Sequence, residues 1–142
     1  MAKRKSPSIG SLAPLDKEGL ERMSRMRWEV RRFLRFGEEV AREAGVTALQ
    51  YYLLLHTQGF PGREWASIGE LAERLQSAPH GVVALVTRCE ELGLVRRVPN
   101  ALDARMVEVH PTAKGRRLLD RLAPQLQSHL PELAAVIEAA RD

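Results

Sequence analysis

The sequence predicts a mainly α-helical domain that carries one small β-hairpin. Apolar residues recur at three- and four-residue steps over most of the chain, which is the period of helices with one buried face. After Gly93 this pattern changes to two short runs rich in Val, and a helical pattern returns after Thr112. The chain has 142 residues, of which 44% are hydrophobic and 28% are charged, so it has the length and composition of one globular domain.

The first helix is predicted to be long, from Leu15 to Ala44. One apolar stripe runs along it and contains Leu20, Met23, Val30, Phe33, Gly37, Val40 and Ala44. A small domain cannot cover a helix of this length, so we expect it to extend beyond the globule and to be covered by a partner subunit. Before it, residues 1–14 mix Lys, Ser, Pro and Gly, which predicts a flexible basic tail.

Three shorter helices are predicted after Gly45, which is a suitable helix stop. Thr47 can cap the first of them. The second begins at Ser67 and Glu70, whose spacing is that of a capping box, in which the two residues satisfy free backbone donors reciprocally. The predicted ranges of the three helices are 48–57, 68–75 and 80–92.

Two short strands, residues 94–98 and 106–109, are predicted on either side of a polar turn at residues 99–103. Two short helices joined by a tight turn and followed by a β-hairpin form a winged helix-turn-helix. The second helix of such a pair fits the major groove of duplex DNA, and the hairpin lies over the neighbouring backbone or minor groove. Residues 47–111 are therefore predicted to form a DNA-binding lobe.

The C-terminal part is predicted to be helical again. Thr112 caps a helix that is expected to run through Leu122. Pro124 and Pro131 leave the last helical stretch, to about Ala140, either kinked or started late. The predicted organisation is a tail at 1–14 and a single domain at 15–142, with dimerisation helices at 15–44 and 112–142 around the lobe.

Sequence motifs within the lobe and at its end resemble those of a known family. Ile68–Leu75 and Cys89–Arg97 match the first helix of the helix-turn-helix and the junction between the recognition helix and the wing. The most diagnostic feature is the spacing from Asp103-Ala104-Arg105 to Thr112-Ala113-Lys114-Gly115. On these residues the chain resembles the multiple antibiotic resistance regulator (MarR) family of bacterial transcription factors. The resemblance implies a winged-helix homodimer whose terminal helices interleave, and repression that an effector relieves.

The resemblance also implies roles for residues of the wing. Arg105 resembles the wing-tip arginine that enters a minor groove, where A·T tracts concentrate negative potential. Asp103 is expected to order the turn and to orient a nearby arginine. Arg96 and Arg97 are adjacent in a strand and point to opposite faces, so we expect only one of them to reach a phosphate, and the sequence leaves open which.

The start of the predicted recognition helix is unusually apolar. Residues 79–84 read Pro-His-Gly-Val-Val-Ala, whereas such helices usually begin with Ser, Thr or Arg. Base readout is therefore expected to rest on His80, Thr87 and Arg88, or on groove shape. An alternative role for His80 is to cap the helix.

The family resemblance further implies a small aromatic or phenolic effector in the cleft between the dimerisation helices and the lobe. The candidate lining residues are Trp28, Arg32, Phe36, Tyr51, Tyr52 and His56. The alternative is that these side chains only fill a core.

Other function classes are disfavoured. Cys89 is the single cysteine, so an intramolecular disulfide is excluded, and its place in an apolar stripe predicts a core residue rather than a redox sensor. The four histidines are widely separated, and no metal site, cofactor or catalytic residue is predicted, so we expect no enzymatic activity. No apolar segment is long enough to span a membrane and no secretory signal is recognised, so a cytoplasmic location is expected.

The predicted function is that of a DNA-binding transcriptional regulator that acts as a homodimer on double-stranded DNA. The net charge of +4 is consistent with a polyanionic partner but does not require one. The alternative is a dimeric ligand- or protein-binding module that keeps the fold but binds DNA weakly or without specificity.

Overall fold

The computed structural model describes residues 9–142, so most of the predicted tail, residues 1–8, lies outside the described part. The described residues form six helices and three short strands. Their order is α1 (Lys17–Glu43), α2 (Ala48–Gln58), β1 (Ala66–Ser67), α3 (Ile68–Leu75), α4 (Pro79–Glu91), β2 (Val95–Pro99), β3 (Val107–Pro111), α5 (Ala113–Gln127) and α6 (Leu130–Ala139). The predicted fold class, mainly α with a winged helix-turn-helix, is confirmed. None of the helices within residues 9–142 is long and apolar enough to cross a membrane.

Short polar side chains define where the helices begin. Asp16 accepts a hydrogen bond from the backbone N–H of Gly19 at 2.7 Å and starts α1. At the start of α3 the predicted capping box is present: the backbone N–H of Ser67 donates to Glu70 Oε1 at 2.8 Å, and the N–H of Glu70 donates to Ser67 Oγ at 3.2 Å. A cap of this kind is worth about 1 kcal/mol of helix stability. The predicted caps Thr47 and Thr112 are also present.

The sheet has three strands rather than the two predicted. β1 pairs antiparallel with β3, so the strand order is β1-β3-β2, with Ala66 opposite Val109 and Ser67 opposite Glu108. A two-residue strand is too short to show an alternating pattern, which is why the sequence analysis missed it. β1 ties the start of α3 to the base of the wing.

The core of the lobe lies between α2, α3, α4, α5 and the inner face of the sheet. In α4, Val82, Val86 and Cys89 are fully buried, and Leu85 is partly buried against them. The other members of this core include Leu53, Leu54, Leu71, Leu94, Val109 and Leu122. Because one face of α4 is held in the core, its opposite face is directed outward.

The apolar stripe predicted along α1 is only partly a core stripe. Gly37 and Val40, in its C-terminal half, are buried against the lobe, as expected. Leu20 and Met23, in its N-terminal half, are 55% and 42% exposed. The N-terminal half of α1 packs mainly on α6, and α6 contains no buried residue. The two helices therefore leave apolar side chains of α1 in solvent.

The predicted end of α5 at Leu122 is wrong, because the helix continues through Pro124 to Gln127. Proline removes one backbone hydrogen bond from a helix interior. Here Leu122 and Leu126 are both buried on either side of it, and this packing offsets the loss. α6 then starts anew with Pro131 in its first turn, which is the late start that the sequence left open.

Gly115 marks the closest approach of two backbone segments. A Cβ added there would lie 2.1 Å from the carbonyl oxygen of Leu94 and 3.0 Å from Leu54 Cδ2. Next to it, Thr112 Oγ1 donates to the carbonyl oxygen of Gly93 at 2.6 Å and accepts from the N–H of Gly115 at 3.1 Å. The Thr112 to Gly115 motif therefore fixes the start of α5 against the turn between α4 and β2.

Candidate nucleic-acid interface

Helices α3 and α4 are joined by a tight turn that leaves one face of α4 in solvent. Gln76 ends α3 in the left-handed conformation, with φ of 51°, and the N–H of Ser77 donates back to the carbonyl oxygen of Ala72 at 3.0 Å. The exposed residues of α4 include His80, Gly81, Val83, Ala84, Thr87 and Arg88. All three recognition-helix candidates from the sequence thus lie on the accessible face.

The beginning of α4 has no side-chain cap. Ala78 occupies the N-cap position and Pro79 the first turn, and no side chain accepts a hydrogen bond from the free backbone donors there. The alternative role of His80 as a cap is therefore not seen, and His80 is exposed. The open N-terminus of a helix carries a partial positive charge that favours an anion such as a phosphate.

Arg97 forms a clamp between the wing and α4. Its guanidinium is paired with the Glu90 carboxylate and donates to Thr87 Oγ1 at 2.9 Å and to the carbonyl oxygen of Val83 at 3.0 Å. Its backbone N–H donates to the same carboxylate at 3.1 Å. The side chains of Arg97 and Thr87 are thus used inside the lobe, where they hold strand β2 against the recognition helix.

The neighbouring Arg96 has a different environment. It is exposed in β2, opposite His110 of β3 in the register, and it forms no ion pair within residues 9–142. Of the two adjacent arginines, Arg96 is therefore the one whose charge is available to a partner from outside the lobe. Arg88, on the exposed face of α4, is likewise without an ion pair among the described residues.

The wing turn is ordered by Asn100 and Asp103. Asn100 Oδ1 accepts from the N–H groups of Leu102 at 3.0 Å and Asp103 at 2.9 Å, and its Nδ2 donates to Glu108 Oε2 at 2.8 Å. Asp103 Oδ1 accepts from the N–H of Arg105 at 3.0 Å and lies 3.4 Å from Arg105 Nε. The Arg105 side chain is 93% exposed. The turn backbone is therefore fixed while the arginine head extends into solvent.

Asn100 was not identified from the sequence as a wing residue. The sequence did contain a signal for this role, since an asparagine at the start of a polar turn often accepts a hydrogen bond from the backbone two residues later. Glu108, its partner, also accepts from His110 at 2.7 Å. These two hydrogen bonds, that from His110 first, hold the pKa of Glu108 below its ordinary value.

The loop before β1 is anchored by a stack around Arg63, which the sequence analysis also missed. The Arg63 guanidinium lies 3.8 Å from the ring centre of Trp65 and 4.3 Å from that of Phe60, and it is paired with Glu70. Trp65 in turn stacks on His110, with ring centres 5.8 Å apart. This stack packs the loop against the sheet and supports the base of the wing.

Three of the six effector-site candidates lie on α1. Arg32 and Phe36 line a cavity of about 280 Å³ between α1 and the start of α6, together with His129, whose ring centre is 3.9 Å from that of Phe36. Trp28 is 61% exposed and lies outside this cavity, with the Arg32 guanidinium 5.4 Å from its ring centre.

The other three candidates lie on α2 and are separated from that cavity. Tyr51 is buried, and burial is the main cause that raises its pKa and that of Tyr52, whose ring centre is 5.5 Å away. His56 is half-buried near the end of α2, and burial, with the nearby Arg74 charge, lowers its pKa. The six effector-site candidates therefore do not line a single cavity.

Cys89 is buried in the core of the lobe, and burial raises the pKa of its thiol to about 11. A thiol of this kind is protonated at neutral pH, which is the opposite of an activated nucleophile. No cluster of three or more metal-ligating side chains occurs within residues 9–142.

A helix-turn-helix with an accessible second helix and an ordered arginine-tipped hairpin beside it defines a winged-helix, DNA-binding fold. The model of the MarR family matches residues 44–106, which contain the whole helix-turn-helix and the wing turn. The resemblance found in the sequence is confirmed: residues 44–106 match the model of the MarR family, and the relatives and solved structures that resemble this chain include transcriptional regulators.

Three proteins illustrate the similarity. The chain is 25% identical over 111 residues to an uncharacterized HTH-type transcriptional regulator of Bacillus subtilis, YsmB, which covers 74% of this chain and 75% of that protein. The structure of the transcriptional regulator BldR from Sulfolobus solfataricus superposes with a TM-score of 0.65 at 26% identity, over 85% of this chain and 86% of that one. The fold is also shared with AbsC, a MarR family transcriptional regulator from Streptomyces coelicolor, with a TM-score of 0.71 at 19% identity over 86% and 82% of the two chains.

Proposed function

We propose that this protein is a transcriptional repressor that binds a pseudo-palindromic operator as a homodimer. The observation that carries the proposal is the wing tip, where a fixed turn presents the 93% exposed side chain of Arg105. The tip lies beside the start of α3, because Asp103 and Arg105 line the same shallow cleft as Ser67 and Gly69. In this proposal α4 enters the major groove and Arg105 enters the adjacent minor groove.

The cations of the lobe divide into two groups in this proposal. Arg88, Arg96 and Arg105 are exposed and contact phosphates or groove edges, as His80 does at the open end of α4. Arg97 acts instead by holding the wing and the recognition helix in one orientation.

The homodimer is supported by the apolar surface that α1 and α6 leave in solvent. Leu20, Met23 and Trp28 of α1 and Leu130 and Ile137 of α6 are between 42% and 61% exposed, and they are large side chains on two helices that pack together. Large apolar side chains exposed on two helices that pack together favour an interface with another chain. A second copy that packs on α1 and α6 covers these side chains and places two lobes symmetrically, so that half-site centres lie about one helical turn of DNA apart.

Release by a small aromatic or phenolic effector completes the proposal. The cavity beside Arg32 and Phe36 supports it, because Phe33, Phe36 and His129 give it aromatic walls within a volume near the lower limit for small-molecule sites. Its two arginines, Arg32 and Arg35, are paired with Glu29 and Glu39, so the aromatic walls rather than a free cation favour a phenolic occupant. It lies between α1 and α6, the helices that carry the proposed dimer interface, so an occupant there would change the spacing of the two lobes.

A second candidate function is a binding module with the same fold and weak or non-specific DNA binding. Two observations favour it: the exposed start of α4 offers Gly81, Val83 and Ala84 in place of hydrogen-bonding side chains, and Thr87 is already bonded to Arg97. Fewer polar groups on the helix leave less direct base readout.

The two candidates are separated by a fluorescence anisotropy titration. The full chain is titrated onto a labelled duplex from the region upstream of its own gene and onto a scrambled duplex of the same length and composition, at several salt concentrations. The proposed repressor binds the first duplex more tightly at every salt concentration, and its affinity falls as salt rises. Equal, salt-sensitive binding to both duplexes would support the second candidate instead.

A further inference from the structure

Val83 is an apolar side chain on the exposed face of α4. It lies about one turn after the helix begins, is 44% exposed, and is not among the residues that form or pack against the core. The core face of the helix is filled by Val82, Val86 and Cys89. A β-branched residue is also a poor helix former at a surface position, because its side chain loses rotamer freedom there. Neither packing within the described residues nor helix propensity therefore accounts for a valine at this position.

Gly81 is a second residue of this face that the fold does not require. A Cβ added at Gly81 would meet nothing within 4 Å, and its backbone is not in the left-handed region. Glycine inside a helix is destabilising relative to alanine, so its presence here has a cost. Ala84, next to Val83, adds only a methyl group to the same exposed face. The valine is thus flanked by small residues, which let the helix backbone come close to a partner.

The first two turns of α4 offer few hydrogen bonds to a partner. Between His80 and Arg88 the one side chain with a polar group is that of Thr87. Its Oγ1 donates to the carbonyl oxygen of Val83 at 3.0 Å and accepts from the Arg97 guanidinium at 2.9 Å. Arg97 also donates to the carbonyl oxygen of Val83 at 3.0 Å, which holds the backbone at that residue. The exposed surface between His80 and Arg88 is therefore apolar and fixed in place.

One group in the major groove of DNA matches an apolar surface of this kind. Thymine carries a 5-methyl group on its major-groove edge, whereas the other three bases carry no methyl group there and present hydrogen-bonding groups. An apolar side chain that covers a hydrogen-bonding edge leaves polar atoms without partners, which costs free energy. Packing on the thymine methyl group instead removes apolar surface from water on both molecules.

We propose that Val83 selects thymine in the operator by packing its side chain on the thymine 5-methyl group. Gly81 and Ala84 permit the close approach that this contact needs. The inference rests on the proposed function, which places α4 in the major groove, and it names the base that the helix selects. One methyl group removed from water is worth about fourfold in affinity, and a homodimer makes the contact in both half-sites, so the expected total is about 15-fold.

The test replaces every thymidine of a duplex by deoxyuridine, which lacks the 5-methyl group and pairs with adenine in the same way. The full chain is titrated by fluorescence anisotropy onto the duplex from upstream of its own gene and onto a scrambled duplex, each made in a thymine form and a uracil form. We expect the uracil form of the upstream duplex to bind about 15-fold more weakly, and the two scrambled forms to bind alike.

Two outcomes separate this inference from the proposed function. If the upstream duplex is preferred over the scrambled one but its thymine and uracil forms bind alike, the inference is wrong and the proposed function stands. Equal binding to the upstream and scrambled thymine duplexes would overturn both.

Two variants locate the effect on Val83. Val83→Ala shortens the side chain at an exposed position where alanine is the better helix former, so we expect a folded protein that binds the two forms of the upstream duplex nearly alike. The control is Arg105→Ala, because the proposed function places Arg105 in the minor groove and the 5-methyl group lies in the major groove. The control is expected to bind both forms more weakly and to keep their ratio. If Val83→Ala keeps the full ratio, the uracil effect comes from DNA shape or from another residue, and the inference is refuted.

Discussion

Substitution of Arg97 by alanine tests whether this residue positions α4 or contacts phosphate. The change removes the pairing with Glu90 and the hydrogen bonds to Thr87 and Val83, while the backbone N–H of residue 97 still donates to the carboxylate. The paired side chains are 29% and 34% exposed, so solvent screens part of the interaction. With charge-assisted hydrogen bonds discounted for this exposure, we expect a loss of about 1–2 kcal/mol in the free energy of unfolding.

The stability arm is a urea titration followed by circular dichroism on Arg97→Ala, Glu90→Ala and the double variant. If the clamp holds strand β2 to α4, the double-variant cycle gives a coupling energy of about 1 kcal/mol. A coupling near zero would show that the clamp contributes nothing.

The DNA arm measures affinity for one duplex at several salt concentrations. If Arg97 only positions the wing, Arg97→Ala is expected to lower the affinity for DNA without changing the slope of log affinity against log salt concentration. A direct phosphate contact would instead lower the slope by about one. Arg96→Ala is the matched control, since it removes the exposed neighbouring charge, and we expect it to lower the slope. A lowered slope for Arg97→Ala together with zero coupling would refute the positioning role.

Arg105→Ala is expected to weaken DNA binding at least tenfold while light scattering still reports the same oligomer; unchanged affinity would remove the wing from the mechanism. Gly115→Ala forces a Cβ against the Leu94 carbonyl oxygen, so urea titration should show a loss of about 3 kcal/mol or more. The hydrogen bond from His110 holds the pKa of Glu108 below its ordinary value of 4.5. The Glu108 carboxylate therefore stabilises the fold above that pH, and this stabilisation is lost when acid protonates the carboxylate. Glu108→Gln should therefore reduce the dependence of unfolding on acid pH, and an identical dependence would contradict this.

Much of the helix-turn-helix could be predicted because its signals are local. The capping box at Ser67 and Glu70, the stop at Gly93 and the motif from Thr112 to Gly115 each depend on residues that are neighbours in the chain. The structure adds the physical reason for the last of these, which is the contact of Gly115 with the Leu94 carbonyl oxygen.

The features that the sequence analysis missed depend on contacts between distant segments. β1 exists only because Ala66 pairs with Val109. Pro124 is tolerated in α5 only because Leu122 and Leu126, on either side of it, are buried against other parts of the fold. The clamp of Arg97 on Thr87 joins a strand to a helix, so a rule of alternating faces could not decide between Arg96 and Arg97. Leu20 is exposed because of what α1 packs against in the fold. The periodicity of apolar residues in α1 shows which face is apolar but not which element covers that face.

The central claim, a homodimer that reads a two-fold DNA site, is tested most directly by a footprinting experiment on the region upstream of the protein's own gene. The account predicts two protected half-sites, related by approximate two-fold symmetry, with centres about one helical turn apart (~10 bp), and loss of protection with Arg105→Ala. Two results would contradict the claim of a homodimer on a two-fold site. One is no protection at protein concentrations that saturate the anisotropy titration, and the other is uniform protection along the whole fragment.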